Sequence, residues 1–209
     1  MTLKVLEGNV EEPLIVANDM REVIKAVSTV YDRDPAHSAR VTSLALTMFD
    51  ELNAMHNLGA SERLLLEMAG IMHDIGYSLD PSKPHNKLSR DLILGTDIPG
   101  LTDDEKLTCA LVARYHTGEL PDASQHRHFA LLSEDRREVV EWLAGILRVA
   151  DALDNKHVDV VKRLLLDVDE RAITLTLDVS GDCRRQIKRA REKEALLVRK
   201  SGRSIKYIC

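Results

Sequence analysis

The sequence is short of aromatic side chains and has no long apolar segment. Aromatic residues make up only 3% of its 209 residues, so a core must be built from Leu, Ile, Val, Ala and Met. No stretch approaches the roughly 18 uncharged apolar residues that a membrane-spanning helix needs. Near the start, acidic residues stand where a secretory signal would have its apolar segment. We therefore expect a cytoplasmic protein that does not enter the membrane.

Cysteine is also scarce, and its placement argues against two classes of small protein. Cys109, Cys183 and Cys209 lie far apart, are odd in number and form no Cys-x-x-Cys pair. Disulfide-rich scaffolds have an even number of cysteines, and thiolate zinc sites need them in closely spaced pairs. The sequence therefore predicts neither a disulfide framework nor a thiolate zinc site.

Basic residues are concentrated at the C-terminal end of an otherwise acidic chain. Residues 181–209 hold ten Lys and Arg against three Asp and Glu, a balance of +7 within a net charge of −5, which leaves −12 on residues 1–180. This segment could bind nucleic acid or polyphosphate through residues 184–206, or pair with the acidic body or with a second subunit in a homodimer. We favour pairing, because Glu192 and Glu194 interrupt the basic run as on a solvated helix face.

Helix signals dominate the first three quarters of the chain. Apolar residues recur at helical spacing over residues 13–30 and, most clearly, over residues 139–153. Both segments have the apolar stripe with which a helix packs onto a core. A helical body is therefore expected.

Several residues mark helix boundaries. Asp34 followed by Pro35 is typical of a helix start, and the segment Thr102–Glu105 is a capping box. Ser61 is the expected N-cap of the helix that carries "ERLLLEMAGIMHD". Gly76 is the expected residue at its end.

Beyond about residue 160 the pattern changes to strands. Residues 172–179 alternate apolar and polar side chains, which is typical of a half-buried strand, and residues 163–168 predict its hairpin partner. A charged helix over residues 182–200 and a short strand over residues 204–208 follow. The end of the chain is therefore expected to mix both kinds of element.

Together these signals predict a mainly α fold with a small C-terminal α+β appendage. Apolar residues make up 44% of the chain and charged ones 30%, as in ordinary globular proteins. We place the helical body at residues 1–158 and the appendage, a hairpin, a helix and a short strand, at residues 159–209. No low-complexity linker separates the two parts, so they are expected to share an interface.

Four polar residues interrupt or extend the predicted apolar helix faces: His37, His73, Asp74 and Asp151. An aspartate on such a face costs on the order of several kcal/mol in its charged form unless something compensates it. A divalent cation would pair with both carboxylates and accept the imidazole lone pairs. Pairing of a buried aspartate with Arg148 or Arg114 is the alternative, and spacing alone leaves both open.

Four motifs occur in order along the chain: His37 in "AHSARV", "HDIGY" at 73–77, "ARYH" at 113–116 and "ILRVADALDNKH" at 146–157. They resemble the HD domain superfamily of metal-dependent phosphohydrolases. More closely, the chain from about residue 20 to its end resembles the C-terminal HD-like domain of the exopolyphosphatase and guanosine pentaphosphate phosphohydrolase family. The resemblance implies an HD-type helical bundle. It also implies that one divalent ion, of Mn, Fe, Ni, Co, Zn or Mg, binds to four ligands: His37, His73, Asp74 and Asp151.

The sequence departs from that family in three respects. The larger members hydrolyse phosphate chains in a preceding actin-like domain, which has no counterpart here, so exopolyphosphatase activity is not expected. A "HHKHS"-like stretch is replaced by "PHNKLS", which keeps His85 but has Leu88 in place of a second histidine. A second metal site would then be partial, with His85 and His116. The HDxxED pattern of alarmone hydrolases is absent from "HDIGYS".

The resemblance implies hydrolysis of a small phosphate ester or nucleotide by a metal-activated water. We expect Asp74 to be catalytic as a ligand and His116 to protonate the leaving oxygen, although His116 could merely interact with the helix dipole. Five basic residues beside the motifs are candidates for phosphate binding: Arg40, Lys83, Lys87, Arg114 and Lys156. The alternative function is a non-catalytic module that binds a phosphorylated ligand, polyphosphate or a protein partner.

Overall fold

The computed structural model describes the backbone of residues 12–157 and 159–209, and within these the side chains from residue 19 onward. Helices dominate this part of the chain, which confirms the mainly α fold. The helices are α1 (Glu12–Tyr31), α2 (Pro35–Glu51), α3 (Asn53–His56), α4 (Ala60–Met72), α5 (His85–Gly95), α6 (Asp103–Tyr115), α7 (Arg127–Ala130), α8 (Glu134–Leu153), α9 (Arg184–Lys193) and α10 (Ala195–Ser201). The strands are β1 (Val161–Val168), β2 (Ala172–Val179) and β3 (Ser204–Ile208).

The core lies between α2, α4, α6 and α8. Helix α2 packs against α4 and α8, and α6 packs against α4, α5 and α8. The largest fully buried side chains are Leu, Ile and Met, with Tyr115 as the one aromatic ring among them. This composition follows from the scarcity of aromatic residues in the sequence.

Two predicted helix starts are confirmed by their capping contacts. The Asp34 carboxylate accepts a hydrogen bond from the backbone N–H of His37 at 3.0 Å, and α2 begins at Pro35. At the start of α6, the Thr102 N–H donates to the Glu105 carboxylate at 2.9 Å, and the Glu105 N–H donates to the Thr102 hydroxyl at 3.2 Å. These side chains satisfy backbone donors that have no partner inside a helix.

Two other boundary predictions are wrong. Helix α4 begins one residue before Ser61, after Gly59, whose N–H donates to the Glu62 carboxylate at 3.0 Å. The helix ends at Met72, and Gly76 belongs to a 3₁₀ turn that follows it. Sequence periodicity did not mark the early end, because the apolar pattern continues through the 3₁₀ turn.

Two elements differ from the predicted layout. Helix α5 lies in a segment to which the sequence patterns assigned no element. The charged helix expected over residues 182–200 is divided into α9 and α10 at Glu194. A break between two helices within a charged segment hardly changes the spacing of its apolar residues, so the sequence pattern did not reveal it.

The appendage contains a three-stranded sheet in the order β1-β2-β3. Strand β1 runs antiparallel to β2, with Val168 opposite Ile173, and β3 runs parallel to β2, with Ile173 opposite Ile205. Leu175 and Leu177 are buried while Thr176 between them is exposed, which confirms the half-buried strand. The hairpin and the last strand were both predicted.

The appendage packs directly on α8. Both α9 and α10 contact α8, and a methyl group at Gly145 would lie only 3.1 Å from the backbone nitrogen of Leu197. Two ion pairs add to this interface, from Arg199 to Glu141 at 2.8 Å and from Lys200 to Glu138 at 3.2 Å. We predicted the boundary between body and appendage to lie between residues 158 and 159. Residue 158 is outside the described part of the chain, so the position of this boundary stays a prediction.

The structure joins Cys183 and Cys209 as a disulfide, with their Cα atoms 6.8 Å apart. The sequence argued against a disulfide framework and did not suggest this single pair, while Cys109 is free and buried. The reason lies in the topology of the sheet. Because β3 runs parallel to β2, it ends beside the segment that leaves β2 and opens α9. Linear spacing of the cysteines does not reveal this proximity.

Within the described residues, no helix is both long and apolar enough to cross a membrane. The cytoplasmic location stays a prediction.

Replacing Gly76 with Ala should destabilise the fold. A Cβ atom at this position would lie 2.0 Å from the carbonyl oxygen of His85 and 2.6 Å from the backbone nitrogen of Ser89, so α5 would have to move. Overpacking of this kind typically costs about 1–3 kcal/mol. We expect a loss at the upper end of this range in the free energy of unfolding, measured by urea denaturation.

Gly95→Ala is the matched control, because Gly95 ends α5 and nothing lies within 4 Å of the place that a methyl group would take there. This change should be neutral or stabilise the protein by about 0.5–1 kcal/mol. If Gly76→Ala and the parent protein unfolded at the same urea concentration and with the same dependence on urea, the close approach of α5 to Gly76 would be contradicted.

Candidate metal centre

Three separate elements bring the four predicted ligands to one place. His37 lies in the first turn of α2, His73 and Asp74 directly follow α4, and Asp151 lies in the last turn of α8. Because α2 packs against both α4 and α8, these helix ends meet at one side of the core. The four side chains were predicted to be neighbours, and the fold brings them together.

The distances between donor atoms are short enough for a shared ion. His37 Nε2 lies 3.5 Å from an Asp151 carboxylate oxygen and 3.8 Å from Asp74 Oδ2, and His73 Nε2 lies 3.5 Å from the same Asp74 oxygen. Two ligands of one metal ion, each about 2.1 Å from it, are at most about 4.2 Å apart. These three pairs satisfy that limit.

A second set of donors meets the other oxygen of Asp74. His85 Nε2 lies 3.3 Å and His116 Nε2 lies 3.4 Å from Asp74 Oδ1, and the two Nε2 atoms are 3.2 Å apart. His85 comes from the first turn of α5 and His116 from the end of α6, and these helices pack together. The partial second site therefore has three donors, although Leu88 replaces a histidine of the related motif.

Backbone contacts orient two of the imidazole rings. The Nδ1 atom of His73 lies 2.7 Å from the carbonyl oxygen of Gly70, and Nδ1 of His116 lies 2.6 Å from that of Ala113. A carbonyl oxygen only accepts hydrogen bonds, so each Nδ1 must carry the proton. The Nε2 atoms therefore face Asp74, and in the neutral ring each carries the lone pair that a metal would use. Metal-binding histidines are commonly oriented in this way.

A carboxylate and a second ring hold His37. Its Nδ1 donates to Asp154 Oδ2 at 2.7 Å, and Arg40 Nε lies 3.2 Å from the other oxygen of Asp154. The ring of His157 stacks on that of His37 with 3.7 Å between centroids, and its Nδ1 lies 2.7 Å from a carboxylate oxygen of Asp34. His37 is thereby locked with Nε2 facing the cluster.

Three buried atoms at the centre have no hydrogen-bond partner among the residues that the structure describes: His37 Nε2, His73 Nε2 and Asp74 Oδ1. Leaving a buried polar atom unsatisfied is costly, so most such atoms in native proteins have a partner. Here the unsatisfied atoms are all of types that bind metals, and they face one another. The residues therefore fit a divalent cation.

The two aspartates are ionised in this environment. Burial opposes ionisation of Asp74, but the nearby imidazoles, that of His73 first, outweigh it and hold the pKa of Asp74 well below its usual value. Burial also opposes ionisation of Asp151, but its interaction with His37 outweighs it and lowers the pKa of Asp151 to about 2. The centre thus offers two negative charges to a cation.

The histidines differ in protonation. Burial lowers the pKa of His116 to about 3, so its ring is neutral and available as a ligand. Burial also disfavours protonation of His37, but Asp151 and Asp154 outweigh it and raise its pKa to about 10. A cation that binds here must therefore displace a proton from His37.

The arginine alternative for the aspartates is not observed. Within the described residues, neither Arg148 nor Arg114 forms an ion pair with Asp74 or Asp151. Arg148 is buried and donates to backbone carbonyl groups, while Arg114 pairs with Glu119 at 2.9 Å. Buried arginines therefore do not neutralise the centre.

A cavity of about 240 Å³ leads to the centre. Its walls combine two of the predicted ligands, three residues of the loop between α1 and α2, and two further aromatic rings: His37, Asp74, Asp32, Arg33, Asp34, Tyr77 and His157. Tyr77 stacks on His85 with 3.9 Å between ring centroids, so this wall also supports the second donor set. The centre is thus accessible to a small ligand.

The five predicted phosphate-binding residues do not form one group. Lys83 is exposed and pairs with Asp80 at 3.5 Å, and Lys156 is exposed in the turn after α8. Lys87 and Arg114 line a different cavity of about 300 Å³ on the outer side of α6. Arg40 is held by Asp154, next to His37. None of the five lines the cavity that leads to the centre.

Sequence reasoning missed three residues that support the centre: Tyr77, Asp154 and His157. Asp154 follows Asp151 by three residues, a spacing that places both on one side of a helix end. That spacing could have marked Asp154 as a partner of the ligands. The other two depend on how separate loops pack, which the sequence pattern does not show.

Asp74→Asn should reduce metal binding without unfolding the protein. The amide keeps the shape of the side chain but removes the charge that both donor sets face. We expect the affinity for Mn²⁺ or Zn²⁺ to fall by at least about 10–100-fold, a loss already typical of changes to groups that merely orient ligands. The measurements are metal content after dialysis and the rise in melting temperature when metal is added.

Asp91→Asn is the matched control, because Asp91 is exposed on α5 and contacts only the neighbouring Arg90. It should bind metal like the parent protein. Equal metal content in Asp74→Asn and the parent would show that Asp74 is not a ligand.

The geometry agrees with a comparison of the chain with known protein families. The family model described as Ppx/GppA phosphatase, domain III, matches residues 21–192. The matched stretch contains all six residues whose side chains meet at the centre: His37, His73, Asp74, His85, His116 and Asp151. The match covers most of the chain and is consistent with the motifs that suggested the resemblance. The chain therefore belongs to the family of Ppx/GppA phosphatase domain III.

Proposed function

We propose that this protein is an HD-type metal-dependent phosphohydrolase that acts on a small phosphate ester or nucleotide. The observation that carries the proposal is the position of Asp74, whose two oxygens each face a set of imidazole Nε2 atoms. Membership of a phosphatase family supports the reaction class. The resemblance to the HD superfamily supports the mechanism.

The residues around Asp74 would hold the metal. His37, His73 and Asp74 form the main set, which Asp151 joins at 3.5 Å from His37, and Asp74, His85 and His116 form the second. A mixture of imidazole and carboxylate donors suits Mn, Fe, Co, Ni or Zn better than Mg, which prefers oxygen ligands alone. A divalent ion in such a site lowers the pKa of a water molecule and neutralises charge on a phosphoryl group.

Several side chains act by fixing the position and protonation of the ligands. Asp154 keeps the proton of His37 on Nδ1, and the carbonyl group of Ala113 does the same for His116. Because His116 is neutral near pH 7 and its only N–H is already bonded, a ligand role is favoured over that of a proton donor.

The entrance to the cavity can select the ligand by charge. Arg33 lies at this entrance, where its Nε donates to the Ser78 hydroxyl at 3.2 Å, and its side chain is exposed. An arginine at the mouth favours an incoming phosphate. A cavity of about 240 Å³ is small, which supports a compact phosphorylated substrate rather than a bulky one.

The central experiment screens hydrolysis by the full-length protein. It is assayed as isolated, after chelation, and after reloading with individual divalent ions, against nucleotides, cyclic nucleotides and phosphate esters. We expect at least one substrate to be hydrolysed, with activity lost on chelation and restored by metal. Asp74→Ala and Asp151→Ala should reduce this activity by at least about 100-fold while circular dichroism remains unchanged, because each removes a charged ligand.

Asp91→Ala, which removes an exposed carboxylate from α5, should retain the activity of the parent. If Asp74→Ala and Asp151→Ala both hydrolysed the substrate at the parent rate, the catalytic assignment would be wrong.

A second candidate function is a non-catalytic module that binds a phosphorylated ligand or polyphosphate. It is favoured by a groove of about 650 Å³ along α9, whose walls are mainly basic: Asn155, Arg184, Arg185, Lys188, Arg189 and Glu192. Binding through this groove would weaken steeply with salt, because phosphate contacts release counterions. Metal-loaded protein that binds phosphorylated ligands but hydrolyses none of them would support this function instead.

A further inference from the structure

A lysine from the appendage is buried close to the metal centre. Lys193 ends α9, is 6% exposed, and its ammonium group contacts the hydroxyl of Thr117. Thr117 directly follows His116, one of the second set of donors. The sequence did not single out this residue, because it stands within a run of exposed basic side chains.

The charge of Lys193 is not matched by a nearby carboxylate. Within the described residues, no carboxylate oxygen lies within 4.0 Å of its ammonium group, whereas lysines this deeply buried usually have an acidic partner. Burial lowers the pKa of Lys193 to about 8, and the negative charges of Asp151 and Asp74 oppose this shift. The ammonium group of Lys193 thus interacts electrostatically with Asp151 and Asp74, the carboxylates that would bind the metal.

The backbone around Lys193 is held in place by a buried arginine. Arg148 of α8 donates to the carbonyl oxygens of Tyr115 at 2.8 Å, Gly118 at 3.1 Å and Lys193 at 3.4 Å. These three bonds connect the end of α6 to the end of α9. Lys193 is therefore not a mobile surface residue: its backbone is held by the fold, which keeps its ammonium group beside Thr117.

Metal binding would leave this region with surplus positive charge. One divalent ion balances the two negative charges of Asp74 and Asp151, so the charges of Lys193 and Arg148 then have no counterpart. A buried surplus of positive charge favours an anion over water. An ammonium group has three donors, and Thr117 accepts only one of them, so two remain for anionic oxygens.

We propose that Lys193, together with the Thr117 hydroxyl, forms a phosphate subsite beside the metal centre and binds a non-bridging oxygen of the substrate's phosphoryl group. This inference rests on the proposed function, because it names the residues that hold the phosphate at that same site. It assigns the appendage a direct part in ligand binding. The exposed lysines and arginines of α9 are not needed for it.

The test measures binding of inorganic phosphate to the Mn²⁺-loaded full-length protein by titration calorimetry. Lys193→Met removes the charge but keeps the length of the side chain, and it should weaken phosphate binding about 10- to 100-fold, the usual value of a hydrogen bond to a charged group. Lys193→Arg, which keeps the charge, should bind within a few-fold of the parent. Metal content should be the same in all variants.

Lys162→Met is the matched control, because Lys162 is an exposed lysine on β1 of the appendage that pairs with Asp159, away from α9. It should bind phosphate like the parent protein. Equal phosphate affinity in Lys193→Met and the parent would overturn the proposal, and so would a loaded parent protein that binds no phosphate. Because turnover is not measured, absence of hydrolysis would count against the proposed function and not against this subsite.

If Lys193→Met does not fold, a measurement on the parent protein decides the matter. In Zn²⁺-loaded protein with ¹³C-labelled lysine, phosphate should shift the Cε resonance of Lys193, assigned from the spectrum of Lys193→Arg, and leave that of Lys162, assigned from Lys162→Met, in place. A Lys193 resonance that does not move when phosphate binds would overturn the proposal.

Discussion

The candidate site depends on a single carboxylate, that of Asp74, which is shared between two groups of imidazole rings. One oxygen lies 3.5 Å from His73 Nε2, and the other lies 3.3 Å from His85 Nε2. Taking a carboxylate out of water is unfavourable unless positive charge or hydrogen-bond donors replace the water. Arginine side chains do not supply this positive charge here. A bound cation would supply it and would also accept the imidazole lone pairs. The ends of α2, α5 and α6 bring His37, His85 and His116 to this carboxylate.

The early end of α4 makes this arrangement possible. Successive residues of a helix point about 100° apart, so two neighbouring side chains inside α4 could not reach one centre. Asp74, at φ −107° and ψ 2°, has left the helical conformation, and its carboxylate meets His73. The turn that follows brings α5 close, because Gly76 has no side chain and its N–H donates to the buried Ser89 hydroxyl at 2.9 Å. Gly76, which the sequence suggested as the end of a helix, is therefore the residue at which α5 packs closely against the turn after α4.

The sequence predicted most of the architecture, and it selected the four side chains that meet at the candidate centre, for physical reasons. Apolar periodicity identified α8 and β2, because burial on one face leaves a repeating pattern. Asp151 was noticed because a charge on an apolar face needs compensation, and the order of motifs linked it to His73. Lys193 and Asp154 could not be identified in this way. Their roles depend on how α9 and the end of α8 pack, and the spacing of residues along the chain carries no record of that packing.

Helix α8 is surrounded on nearly all sides, since almost every residue from Val139 to Leu153 is buried. Part of that cover comes from the appendage, which approaches so closely that even a methyl group at Gly145 would crowd Leu197. The change from helix to strand pattern near residue 160 is therefore not a place to cut the chain. A recombinant fragment that stopped there would expose an apolar helix to water and would be prone to aggregation, and it would also lack α9 with its buried Lys193.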